Sequence, residues 1–262
     1  MTVEAATGDL SGRGASTPLV DHSWTSLPTR PLVLVPVGSC EQHGPHLPLD
    51  TDSVVAVAVA SGVASALVDG HPTGSVVVAP VIAYGASGEH QTFPGTVSIG
   101  HDALGFQLVE LVRSLSTWAG RIVFVNGHGG NVATLSSVVP QMMGEGHEVA
   151  WAACAVQGMD SHAGHAETSL MLHLAPSRVD ITLAVPGNVA ALAELLPTLR
   201  SEGVAGVSAS GVLGDPTGAT AEHGSALLVE MIRDVHSRIM AAAVGRDGRL
   251  TRPASTLTGS LT

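Results

Sequence analysis

The chain has 262 residues, 45% of them hydrophobic, enough for the sizeable core of one α/β domain. Its 22 acids outnumber its 11 bases for a formal charge of −11, which argues against a nucleic-acid or anionic-membrane partner. All 11 bases are arginine, so Schiff-base lysine chemistry and the phosphate-gripping lysine of a P-loop are excluded.

Residues 1–20 are rich in Gly, Ser and Thr without apolar periodicity and read as a loose segment. The run "LVLVPV" at 32–37 is the first expected strand, followed by "SVVVAP" at 75–80, "RIVFVNG" at 121–127 and "EVAWAAC" at 148–154. These runs do not alternate polar with apolar, which suggests strands covered on both faces. Helix-length segments lie between and after them, near 52–69, 101–118, 131–145, 165–175, 188–202 and 219–244, with Asp52 and Asn131 as plausible caps. Strand and helix in turn predict an α/β fold: a single domain over 21–246 with a mainly parallel sheet sandwiched between helices. Residues 247–262 read as a second loose end. No apolar run reaches the roughly 18 residues of a membrane span without interruption, and no signal-peptide pattern opens the chain. Two cysteines, Cys40 and Cys154, are too few for a disulfide framework, and the expectation is a soluble, cytoplasmic protein.

The chemistry concentrates where strands end. "SCEQHGPHLPLDTD", residues 39–52, follows the first strand and carries Glu41, His43, His46, Asp50 and Asp52. In extended chain Glu41 and His43 point the same way, and the prolines at 45 and 48 fold Asp52 back towards them. "NGHGGN", residues 126–131, ends the third strand with His128 among glycines, where a ligand or ion can approach closely. The competing reading is a tight turn cradling a phosphate on a helix N-terminus, which would favour bare amides over a histidine. In open α/β sheets both clusters fall on the ligand-binding rim. A third cluster, "HAGHAETSLMLHLAP" at 162–176, brings His162, His165 and Glu167, although a glutamate in a first helical turn also has a purely electrostatic explanation. Three carboxylates, Glu41, Asp52 and Glu167, balance two divalent ions and one hydroxide, whereas one ion would leave buried negative charge. Nitrogen and oxygen ligands without thiolate suit Zn²⁺, Fe²⁺ or Mn²⁺. No GxSxG elbow is present, and Cys40 reads as packing.

In order and spacing these three clusters resemble the signatures of the creatininase-like metal amidohydrolases, over most of residues 32 to about 240. "APVIAYGASGEHQTFPGTVSIG" and "GVLGDPTGATAEHG" resemble, more narrowly, the family's mycofactocin branch, which trims the modified precursor peptide of a redox cofactor. The resemblance implies two divalent ions, Fe²⁺ or Zn²⁺ foremost, with Glu41 and His128 on one, His43 on the other and Asp52 bridging. In creatininase proper a further glutamate stands two residues beyond the motif histidine, where this chain has Gly130, and Glu167 is the expected replacement. The family's active-site histidine corresponds to His162, expected to exchange a proton with the reacting amide. His46, Asp50, Asn126 and Asn131 are candidates to orient the ligands, and His90, in the glycine-bearing loop 84–95, to face the substrate. The implied substrate is the modified precursor peptide, losing a C-terminal Val-Tyr dipeptide, and the implied assembly is a hexamer or related ring. A formamide or cyclic-amide hydrolase of the same scaffold and a non-catalytic metal-binding protein stay open as alternatives.

Overall fold

The computed structural model describes residues 18–70 and 76–252. Four parallel strands, β1 (Leu32–Val37), β2 (Val76–Val78), β3 (Arg121–Asn126) and β4 (Val149–Ala153), form one sheet in the order β2-β1-β3-β4. Six helices join and flank them: α1 (Thr51–Gly70), α2 (Gly100–Leu115), α3 (Val132–Gly144), α4 (His165–Leu174), α5 (Leu192–Glu202) and α6 (Ala221–Ala241). Every expected strand and helix is present, the first strand with the expected ends and the others with shifted ones; residue 75 of the second expected strand lies outside the described residues.

The alternation of side chains in β1 builds two cores, one on each face. Val33, Val35 and Val37 join Phe124 and Trp151 under α2 and α3, while Leu34 joins Val123 and Val125 under α1, α4 and α6. This two-sided burial explains why the strands read as continuous apolar runs. It also explains α1: Thr51–Val68 is long and apolar enough to cross a bilayer by length and composition alone, although Asp52 and the pair Ser61 and Gly62 interrupt the run as expected. Its residues Val55, Val59 and Val63 are instead buried against the sheet and α6.

Pro36 sits in a central strand, where a missing N–H normally costs a ladder bond. Leu34 and Pro36 both turn their carbonyls to the β2 side, accepting from Ala79 and Ile82. Paired residues of β2 end at Val78, opposite Leu34, so the absent Pro36 N–H has no strand to meet.

The chain passes from β1 to β2 on one side and then crosses to β3 on the other, so a crevice opens beyond the carboxyl ends of β1 and β3. Helix α5 starts four residues later than expected because Gly187 and Asn188 pair their main chains with Gly214 and Val212. Residues 247–250 are not loose: Leu250 is fully buried and donates its main-chain N–H to the Trp151 carbonyl, the Trp151 N–H donates to the Gly248 carbonyl, and the Trp151 indole donates to the Asp247 carbonyl. Pro18, at the end of the expected loose N-terminal segment, bridges Val78; residues 1–17 and 253–262 lie outside the described residues.

Candidate metal centre

Beyond β1 the chain leaves the sheet and wraps back at Pro48 to start α1, and beyond β3 Gly127 turns His128 towards the same point. A side chain at 127 would run into the Asp52 carbonyl, with a Cβ only 2.5 Å away, so glycine is what lets the two rims close on each other. His128 Nδ1 lies 3.2 Å from both Glu41 Oε1 and Asp52 Oδ2. His43 Nε2 lies 3.2 Å from Asp52 Oδ1 and 3.8 Å from Glu167 Oε2. Asp52 therefore faces both histidines, one oxygen to each. The trios Glu41, Asp52, His128 and His43, His162, Glu167 each gather their ligand atoms closely enough for one ion, and a third trio combines Glu41, His90 and His162.

The electrostatics of these groups call for positive charge. Burial opposes a proton on His43, yet Asp52, Glu167 and Glu41 outweigh it and push its pKa up to about 10. Burial likewise opposes charge on His128, but Glu41 and Asp52 hold it well above the usual imidazole range. Against the same burial penalty, His128 keeps the Glu41 carboxyl below its usual range, and His43 and His128 keep Asp52 well below. Burial dominates at Glu167, raised to about 7, and at His90 and His162, both lowered and hence neutral. Glu41 is fully buried, and its carboxylate makes no well-aligned hydrogen bond among the described residues: its nearest polar neighbours are His128 Nδ1 at 3.2 Å and His90 Nε2 at 3.3 Å, both on Oε1. Without a metal, a protonated His128 is the main compensation for this buried charge, and Oε2 has no hydrogen-bond partner. Divalent cations fit this donor set and would repair that deficit.

Not every candidate from the sequence is at the centre. Asp50 is half exposed and pairs with Arg178 at 2.5 Å, so it is a surface ion pair and orients no ligand. Asp52 and Asn131, expected as caps, make no side-chain cap. Asp52 lies inside α1 and accepts from Ser39 Oγ, and Asn131 ties the main chains of Gly38 and Ala86 together. Asn126 bonds the His128 main chain and the Asn131 amide, so both asparagines brace the loop, touching no imidazole. His46 Nε2 bonds Thr168 Oγ1 at 2.8 Å, next to Glu167 on α4, and so steadies the helix that presents that carboxylate. Cys40 is half-buried with its thiol pushed up by burial, and Cys154 is buried, in keeping with packing.

Three participants escaped the sequence reading. Ser39 holds Asp52; Gln42, between two expected ligands, is buried and reaches His90 and His162; and Glu89 stands 3.6 Å from His128 Nε2. Glu89 also explains Gly130. A Cβ there would fall 2.3 Å from the Ala86 carbonyl, 2.4 Å from His128 Nε2 and 2.7 Å from Glu89 Oε1, so no side chain fits. The space a side chain at 130 would need is taken by Ala86, His128 and Glu89.

The centre opens into a cleft of about 590 Å³, with Asp52, His128, His162 and Glu167 on its inner wall and Val156, Met159 and Leu213 among the apolar ones. Neutral His162 beside a carboxylate-rich, cation-seeking cluster is equipped for metal-assisted hydrolysis.

The creatinine amidohydrolase family profile matches residues 21–239. The chain belongs to the creatininase family. It is 53% identical over 242 residues, 92% of this chain and 95% of the other, to the mycofactocin precursor peptide peptidase of Mycolicibacterium smegmatis. Among solved structures, a creatininase labelled Mn superposes with a TM-score of 0.65 at 25% identity, covering 80% of this chain and 90% of that one. A creatininase variant of Zn-Zn type gives 0.64 at 25%, with the same coverage. As a creatininase-family enzyme the chain is a metal-dependent hydrolase of amide C–N bonds, and the fold expected from its strand and helix pattern is the family's.

Proposed function

We propose that this creatininase-family enzyme is a binuclear-metal peptidase that cleaves the modified mycofactocin precursor peptide and releases its C-terminal Val-Tyr dipeptide. The substrate comes from the relative sharing 53% identity. The metal chemistry rests on one observation above all, the buried Glu41, Asp52 and His128 ligand atoms gathered closely enough for one ion, with no well-aligned hydrogen bond to the Glu41 carboxylate.

Glu41, Asp52 and His128 would hold one ion, and His43, Asp52 and Glu167 the other. Zinc, manganese and iron all suit these oxygen and nitrogen donors. Two such ions, when bound, supply a hydroxide at neutral pH and polarise the amide carbonyl.

The chain's own residues do the rest. His162 Nε2 lies 2.8 Å from the Gln42 main-chain carbonyl, which can only accept, so the ring proton sits there and Nδ1 is bare. Nδ1, 3.7 Å from Glu41 Oε1, takes the proton released as water adds to the carbonyl carbon. The same proton passes to the departing nitrogen as the C–N bond breaks, which leaves a carboxylic acid and a free amine; the acid then gives up its own proton at neutral pH. Val156, Met159 and Leu213 provide apolar surface for the valine and tyrosine side chains. A cytoplasmic location and assembly as a homo-oligomer complete the proposal; the exposed apolar side chains of Trp24 and Phe106 support the latter.

The test is to incubate metal-loaded protein with the radical-modified precursor and follow dipeptide release by mass spectrometry. Release by the wild type, and a loss of about 10²–10⁴ in turnover for His162→Ala with metal content retained, is the expected result. No release from metal-loaded wild type rejects the peptidase.

A further inference from the structure

Gln42 is almost fully buried at the meeting point of three segments, and each polar atom of its carboxamide has a neighbour. The Gly44 amide donates to Oε1 at 2.9 Å. Nε2 lies 3.1 Å from the Gly211 carbonyl, 2.8 Å from His90 Nδ1 and 3.0 Å from His162 Nε2. A main-chain N–H only donates and a main-chain carbonyl only accepts, so these two groups fix which end of the amide is oxygen without reference to either imidazole.

The consequences run outward to both rings. One Gln42 N–H serves the Gly211 carbonyl and the other meets His90 Nδ1, which must therefore accept. The proton of neutral His90 then sits on Nε2, 3.3 Å from Glu41 Oε1. For His162 the alternative, a bare Nε2 accepting from Gln42, would press its lone pair against the Gln42 main-chain carbonyl at 2.8 Å. His162 Nε2 thus keeps its proton and donates to that carbonyl. Residue 42 holds one ring with its side chain and the other with its backbone.

We propose that Gln42 is a positioning residue: its carboxamide locks His90 in the tautomer that turns an N–H towards Glu41, while its carbonyl leaves His162 Nδ1 bare. An N–H offered to a ligating carboxylate steadies its orientation on the ion; a lone pair in the same place would repel it. This rests on the reading of Glu41 as a metal ligand and of His162 as the proton carrier.

The test uses the zinc-loaded full chain labelled with ¹⁵N-histidine, with the His90 signal assigned by its disappearance in His90→Asn. In the wild type His90 is expected to carry its proton on Nε2; finding it on Nδ1 overturns the proposal without any variant of Gln42. In Gln42→Glu a carboxylate acceptor replaces the donor at 2.8 Å from Nδ1, so the His90 proton should move from Nε2 to Nδ1. Gln42→Leu should leave His90 as a mixture of tautomers. Both variants are expected to bind zinc at saturating concentration and to lose about 10–100-fold in kcat with KM within about twofold. A packing role alone would lower stability without changing the tautomer, and unchanged tautomers or unchanged kcat in both variants count against the proposal. The tautomer signal needs no substrate, so failure of the peptidase reading, seen as a wild type without turnover, stays distinct from failure here.

Discussion

Metal uptake by this centre should expel protons, and the number follows from the groups around it. In the metal-free protein the His43 pKa is pushed up to about 10 and that of His128 well above the usual range, so at pH 7 both imidazoles carry an extra proton. Glu167, raised to about 7, is half protonated at the same pH. A bound ion needs neutral imidazoles and ionised carboxylates, so filling both positions at pH 7 releases about two and a half protons from these side chains, and up to about one more from the water that becomes hydroxide. His43 alone sits three pH units below its pKa, and at about 1.36 kcal/mol per unit its proton opposes the metal by about 4 kcal/mol. The sign is therefore that metal affinity climbs as pH rises from 7 towards 10 and weakens as pH falls. Calorimetric titration of Zn²⁺ into chelated protein, in buffers of differing ionisation enthalpy, reads the proton count as a slope. Release of fewer than one proton, or an affinity flat between pH 6 and 9, would refute the reasoning, because the carboxylates would then not be holding protons on the histidines.

Other perturbations separate the centre from its frame. Gly130→Ala should cost about 1–3 kcal/mol in chemical denaturation, since its Cβ meets the Ala86 carbonyl at 2.3 Å, and Gly130→Glu should not restore a ligand. A stable Gly130→Glu protein with normal metal content would show that the loop at 88–90 yields easily. Asp50→Asn breaks only a half-exposed pair with Arg178 and should change stability by less than about 1 kcal/mol, with turnover unaffected. Leu250→Ala, in a fully buried position against β4, should destabilise by about 2–5 kcal/mol; a neutral result would return that segment to the loose tail expected from sequence.

How far the sequence carried can be seen residue by residue. The runs Leu32–Val37 and Arg121–Asn126 are legible because burial on both faces demands unbroken apolar strands, and parallel strands place their ends on one rim. Asp52 and Asn131 were legible as important but not as to role, because the side chains that cap helices are the ones that bind ions and brace loops. What the sequence could not show for Asp52 is the approach of His43 and His128, from two strand ends, each to one of its oxygens. Asp50 was misplaced for a related reason: its partner Arg178 lies 128 residues on, and nothing local announces it. Gln42 was passed over because period-two reasoning turned it away from Glu41 and His43, whereas past Val37 the chain is irregular and buries all three. Leu250 was hidden in a polar, glycine-bearing stretch whose main chain finds β4.

The most direct measurement is diffraction from metal-loaded crystals with anomalous data at the zinc, iron and manganese edges. Two peaks are expected, one among Glu41, Asp52 and His128 and one among His43, Asp52 and Glu167. A single peak, or density away from Glu41, would contradict the account.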